Sequence, residues 1–268
     1  MRLRRLHTHN CVAEQAKILV AEAEENNKRI DSAWLRWRKC SLCGQNYHGV
    51  VACALGWACW KTYVDRSETD EARKMAINVL GNGLYEARHY EESLSVKEAE
   101  LSMRRRVGAS KQNMLGMQNN LAGVYRMLGR DEHATRMLRD IYSGRLKLHG
   151  EEHKETFGAA LNYASSLVKL LRFEEAKSLL RRTMPVTRRV LGDTVQITLK
   201  MRLCYAFALY KADSATLGDL REALATQEDT ERIARRVYGG AHPMTTVAER
   251  DLRNLRAALR ARETSGIA

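Results

Sequence analysis

The chain has 268 residues, with 45 Lys+Arg against 32 Asp+Glu and a formal charge of +13. Its make-up of 44% hydrophobic and 29% charged residues is that of a folded chain. The 2 prolines and 17 glycines exclude collagen-like and proline-linker classes and argue against a turn-dense β-sandwich. No apolar run approaches the roughly 18 residues of a membrane helix. The basic start Met1–His7 is not followed by the apolar stretch of a secretory signal. Six unevenly spread cysteines do not make a disulfide framework, so a reducing, cytoplasmic setting is expected.

The first 66 residues form one segment by composition. They hold all four tryptophans (Trp34, Trp37, Trp57, Trp60) and five of the six cysteines. Cys11 to Arg29 reads as a helix, with Val12, Ala16, Leu19, Val20 and Ala23 available for one face. Asp31 or Ser32 is placed to cap a short helix carrying Trp34 and Trp37. Next comes Cys40-Ser-Leu-Cys43-Gly-Gln-Asn-Tyr-His48, which has zinc-ligand spacing: two thiolates, then an imidazole. A fourth ligand would come from Cys53, Cys59 or the His7/His9/Cys11 group. If 48–61 is one helix, His48 and Cys59 lie about 16 Å apart at 1.5 Å per residue, too far to share an ion, so Cys53 or Cys11 is preferred. The candidate structural zinc set is therefore Cys40, Cys43, His48 and Cys53. The competing expectation needs no cofactor. Residues 47–60 read as an apolar helix whose cysteines are small buried hydrophobes, in a cap packed by tryptophans.

The polar stretch Val64–Asp70 suits a loop ending in a helix N-cap, and a domain boundary is placed there. From 67 the chain repeats. Gly108, Gly150 and Gly192 are 42 residues apart, and Gly239 follows after 47. Ala122, Ala164 and Ala206 keep the same interval, as do Ala134 and Ala176, with Ala223 after 47. The five extra residues fall most simply in Lys211–Gly218. Each unit reads as two helices joined by a short turn. The first carries Leu121, Val124, Tyr125 and Leu128 on one face, and the glycine ends the second. The paired alanines lie where two antiparallel helices approach, and Gly81 with Ser93 hold those slots in the first unit. Pro185 is expected to kink or interrupt the second helix of its unit. His153 and His242 recur near first-helix starts and are assigned to the inter-repeat turn, with Pro243 in a first helical turn. One such hairpin cannot bury its apolar face alone, whereas stacked hairpins can.

This pattern resembles the tetratricopeptide repeat in its 42-residue, kinesin-light-chain-like form. The resemblance is carried by Asn119-Asn-Leu-Ala-Gly-Val-Tyr-Arg-Met-Leu-Gly-Arg130, Arg172-Phe-Glu-Glu-Ala-Lys177, Arg188-Arg-Val-Leu-Gly192 and Arg235–Thr245, and it spans residues 67–262. It implies an all-α, right-handed α-α superhelix behind an N-terminal helical Cys/Trp-rich cap at 1–66. The units are 67–108, 109–150, 151–192 and 193–239, with a final helix at 242–262 and a tail at 263–268. The heptad coiled coil of a kinesin light chain has no counterpart here, so a motor subunit is not expected.

In the resembled fold the first helices line a concave groove that takes peptides. Mapping them gives Asn78, Asn82, Asn119, Arg126, Lys169 and Lys211 as groove residues. Amides can grip a peptide backbone through donor and acceptor, and the cations would favour an acidic ligand. The same cations also suit helix ends as dipole partners. No phosphate loop, nucleophile elbow or His-Glu-x-x-His motif occurs, so no enzyme is expected. The expected function is a protein-interaction scaffold. The alternative is a zinc-containing, nucleic-acid-associated protein using the basic N-terminal segment. Against that alternative, no recognition-helix or aromatic-basic RNA signature occurs. Much of the charge recurs just before the glycines (Arg104–Arg106, Arg145, Arg188, Arg189, Arg235, Arg236), where a cation offsets exposed carbonyls.

Overall fold

The computed structural model describes residues 2–265, with side chains from 11 to 264. The side chains of His7 and His9 and the last three residues of the tail lie outside it. The described chain is all-helical, its consecutive helices packing in pairs, as the repeats require. It divides into two compact units, Met1–Arg130 and Asp131–Ala268.

The first unit contains α1 (Arg2–Glu25), α2 (Asp31–Trp34), α3 (Gly49–Tyr63), α4 (Glu71–Glu86), α5 (Tyr90–Arg106) and α6 (Lys111–Met127). Helix α1 buries Ala13, Ala16 and Val20, an i, i+3, i+7 stripe that leaves Leu19 at its edge. Asp31 starts α2 and its side chain does not cap it; it pairs with Arg29 at 2.7 Å. Trp37 follows in a 3-10 turn. Trp34 and Trp37 are buried against Tyr63, at 5.2 and 6.2 Å between ring centroids, and Leu55, Cys59, Ala72, Ala76 and Val79 complete this core. The tryptophan-packed helical cap is thus present, although Trp57 stays exposed. Burial raises the Cys59 thiol pKa far above its ordinary value, so that thiol serves as a small hydrophobe.

Helix α3 packs on α4 more extensively than any other pair does. Two glycines allow this. A Cβ on Gly83 would sit 2.4 Å from the Ala52 carbonyl oxygen, and one on Gly56 would sit 3.0 Å from Leu80 Cα. The cap and first repeat therefore share one continuous core, and the polar 64–70 stretch is a tight connection within it. Asp70 caps α4 by accepting from the Arg73 N–H at 3.1 Å, as the sequence suggests.

The second unit contains α7 (Asp131–His149), α8 (Lys154–Lys169), α9 (Phe173–Leu191), α10 (Gln196–Lys211), α11 (Leu217–Tyr238) and α12 (Pro243–Ser265). Ala164, Ala176, Ala206 and Ala223 all lie in its main core, with Phe157, Leu167, Leu180, Met201 and Leu209. Helix α9 runs through Pro185 without interruption, its assigned helix continuing to Leu191. Gly150, Gly192 and Gly239 take φ of 82°, 88° and 83°, the left-handed region that only glycine enters cheaply.

After each of these glycines the turn is locked in the same way. Thr156, Thr198 and Thr245 are buried and donate to the carbonyls of Gly150, Gly192 and Gly239 at 2.8, 2.9 and 2.8 Å. His153 and His242 cap α8 and α12, each accepting through Nδ1 from the N–H two residues on. His153 stacks on His149 at 4.3 Å, and His242 stacks on Tyr238 at 4.7 Å. The basic residues before the glycines meet acids across the turns: Arg145 with Glu155, Arg188 with Asp193 at 2.6 Å, and Arg189 with Glu152. Their role is pairing between neighbouring helices as well as neutralising helix ends.

Candidate functional site

The 42-residue register, extended by 47 in the last unit, aligns a stripe on three first helices of the second unit. On α8 it holds Gly158, Asn162, Ser165 and Lys169. On α10 it holds Lys200, Cys204, Phe207 and Lys211. On α12 it holds Val247, Asp251, Asn254 and Ala258. The spacing i, i+4, i+7, i+11 keeps each set on one helix face. Helix α10 contacts both α8 and α12, so the three stripes form one surface. Ser165 hydrogen-bonds the Cys204 thiol across the first contact. Burial pushes that thiol up to about 11, against the Ser165 bond, so Cys204 is an inert wall and not a nucleophile. Most of the stripe is half-buried, while Lys169, Lys200, Lys211 and Asn254 are exposed.

The aromatic end of this surface is organised around Tyr210. Phe207 meets its ring edge-on at 5.4 Å, and Lys211 Nζ lies 5.1 Å from its centroid. Burial raises the Tyr210 phenol, with Asp251 adding to the effect and Arg250 opposing it. A cavity of about 330 Å³ opens beside it, lined by Tyr210, Asp213, Leu220, Ala258 and Arg262 among others. Lys169, at the matching position on α8, pairs with Asp131 at 2.8 Å.

In the first unit the sequence-predicted groove residues divide. Asn119 and Arg126 lie half-buried on α6. Asn78 and Asn82 on α4 belong to an internal network: Asn78 donates to Glu100 at 3.2 Å and Asn82 donates to Asn78 at 3.0 Å. Lys97 donates to Asn82 at 2.6 Å. Lys97 and Glu100 are only 4% and 3% exposed. The first repeat is one residue shorter than the next, so these two take the register of Leu138 and Ile141. Gly81 makes their room, since a Cβ there would lie 3.1 Å from Lys97 Cγ. Burial lowers the Lys97 ammonium and raises the Glu100 carboxyl, and each charge opposes the shift of the other.

The predicted metal residues lie on three different supports. Cys40 and Cys43 share one turn. His48 Nδ1 pairs with Glu86 at 3.1 Å on α4, and Cys53 lies in α3 with its Cα beside Gly83. Among the described residues, the grouping of His, Cys, Asp and Glu ligand atoms within 4.8 Å of one another is His149, His153 and Glu155, which the sequence did not single out. Its two imidazoles are stacked 19° from parallel, so their in-plane lone pairs cannot converge on one ion as they stand. Arg145 also holds Glu155. Tyr238 occupies the His149 slot in the last unit. The cluster is a turn lock.

Residues 114–155 match the tetratricopeptide repeat model. No curated protein sequence matches the chain. Among solved structures, a Podosopora anserina protein described as a kinesin light chain, with nearly identical TPR-like repeats, is 17% identical. That match has a TM-score of 0.57 and covers 85% of this chain and 96% of that one. BtubC (BKLC) from P. vanneervenii is 16% identical with a TM-score of 0.55, covering 78% of this chain and 91% of that one. Residues 114–155 are thus a tetratricopeptide repeat, and the fold is that of kinesin-light-chain-like repeat arrays. No helix of the described residues is long and apolar enough to cross a membrane.

Proposed function

We propose that the chain is a non-enzymatic scaffold that binds an extended, acidic segment of a partner protein on the first helices of its repeats. The observation that carries this reading is the α8–α10–α12 surface. It is continuous across three helices, half-buried and not closed into a core, and it bears Lys169, Lys200 and Lys211 around Phe207 and Tyr210. Such a surface offers an aromatic anchor for one apolar side chain and cations for flanking carboxylates. In the first unit Asn119 and Arg126 are the proposed ligand contacts. Asn78 and Asn82 shape the wall from behind through the Lys97–Glu100 network.

The test is selection from a displayed random-peptide library, followed by titration of the selected peptides. Acidic peptides bearing one aromatic or branched residue are expected, with binding weakened by Lys211→Glu. Selection of basic peptides, or tighter binding to duplex or single-stranded nucleic acid at physiological salt, would contradict the reading.

A further inference from the structure

The hairpin before α3 presents two free cysteines, Cys40 and Cys43, that the scaffold role leaves unused. Lys39 and Asn46 form an antiparallel bridge, Tyr47 N–H donates to the Arg38 carbonyl at 2.9 Å, and Cys40 N–H donates to the Gln45 carbonyl at 2.9 Å. Between them the chain folds into a tight knuckle. Gly44 N–H donates to the Cys40 carbonyl at 3.0 Å, with Gly44 at φ 68°. The Cys40 sulfur receives the backbone N–H groups of Cys43 and Leu42 and lies beside the Cys43 thiol. The knuckle projects into solvent: Leu42 at its tip is 95% exposed, and Ser41, Cys43 and Gly44 are exposed too.

Two sulfurs aimed together by backbone amides form half of a tetrahedral thiolate site. The hairpin register shows why His48 does not join them here. Successive residues of an extended strand alternate faces. Cys40 therefore shares its face with Arg38, Gln45 and Tyr47. His48 is also extended (φ −128°, ψ 162°), and alternation puts it on the opposite face with Lys39 and Asn46, where Glu86 holds it. Cys53 is seated in α3 against Gly83 of α4.

We propose that the Cys40–Cys43 knuckle is a two-thiolate half-site for a zinc ion, completed by the same knuckle of a second copy of this chain. Two knuckles supply the four thiolates of a structural zinc site, and each needs only its exposed tip to reach the ion. Zinc with four thiolates carries a net charge of −2. Arg36 and Arg38 on each copy offset it, where without the ion they would keep two such tips apart. Zinc displaces the thiol protons from Cys40 and Cys43, and no oxidation occurs.

The test uses the full chain, reduced and stripped of metal, titrated with zinc against a chromophoric chelator while mass is followed by light scattering. The expected result is one zinc per two chains, with mass doubling from 30.5 kDa as the ion is taken up and reverting on chelation. Cys40→Ser and Cys43→Ser should each abolish zinc uptake and dimerisation together, with the helical circular dichroism signal unchanged. His48→Ala and Cys53→Ser should leave both intact. One zinc per monomer overturns the proposal, as does loss of uptake in His48→Ala or Cys53→Ser. Failure of the reduced wild-type chain to take up zinc overturns it equally.

Discussion

Thr198 Oγ1 donates to the Gly192 carbonyl at 2.9 Å, joining the first turn of α10 to the residue that ends α9. The glycine must turn in the left-handed region, which leaves its carbonyl without a helical partner, and the buried hydroxyl six residues on satisfies it. Thr156 and Thr245 do the same after Gly150 and Gly239. Thr198→Val keeps the shape and removes the donor. It should lower stability by about 1–3 kcal/mol, the cost of a buried acceptor left unpaired, while Thr198→Ser retains most of it. Urea melts of the two variants check this.

The Lys97–Glu100 pair replaces apolar residues found at the same register in the next repeat. Removing Glu100 leaves the buried Lys97 ammonium without a counter-charge, so Glu100→Ile should cost about 3–5 kcal/mol. Adding Lys97→Leu should recover part of that loss, because it restores the apolar pairing that Leu138 and Ile141 form while the Asn78 and Asn82 amides lose their partners. A double-mutant cycle read by chemical denaturation measures the coupling; purely additive losses would show that the pair does not act as a unit.

Gly83 sits in a helix interior, where alanine ordinarily improves stability by about 1 kcal/mol. Here the added Cβ meets the Ala52 carbonyl oxygen, a backbone atom that cannot swing away. Gly83→Ala should therefore destabilise, by about 1–3 kcal/mol, through forced separation of α3 and α4. Gly123→Ala, whose Cβ would meet nothing within 4 Å, is the control and should stabilise slightly. Thermal melts of both variants decide the sign.

Thr216 and Asp219 form a capping box at the start of α11. Hydrogen bonds from the Thr216 hydroxyl and N–H hold the Asp219 carboxyl below the ordinary aspartate range. A depressed carboxyl stabilises the fold above its unfolded pKa, and that stabilisation fades as pH falls through its folded value. Thr216→Ala should cost about 1 kcal/mol near neutrality. The gap to the wild-type chain should narrow on acidification below the ordinary aspartate range, as followed by denaturation at stepped pH.

The repeat array was legible because its signals are local: glycine at a fixed interval, paired small residues, and a 3.6-residue apolar period. Each survived as a left-handed C-cap or a close-packed slot. The tryptophan cap was legible for the same reason. The close contact of α3 and α4 was not, because Gly56 and Gly83 matter only once two distant helices meet. The threonine lock was visible in retrospect, since Thr156, Thr198 and Thr245 stand six residues after each glycine, but a hydroxyl's partner depends on the turn. Among groove residues, Asn78 and Asn82 looked equivalent to Asn119 in type and place. Only the burial of Lys97 and Glu100 directs their amides inward. Pro185 marks the opposite case, where a strong local breaker is carried within an otherwise continuous helix.

The proposed ligand surface lies on the first helices of the second unit, and one titration addresses it most directly. An acidic peptide selected against the wild-type chain is titrated into Phe207→Ala and Lys211→Glu, with unchanged helical content verified for each. Each variant should weaken binding at least tenfold, about 1.4 kcal/mol, and Lys211→Glu should also reduce the salt dependence. Wild-type affinity in both variants would contradict the proposed surface.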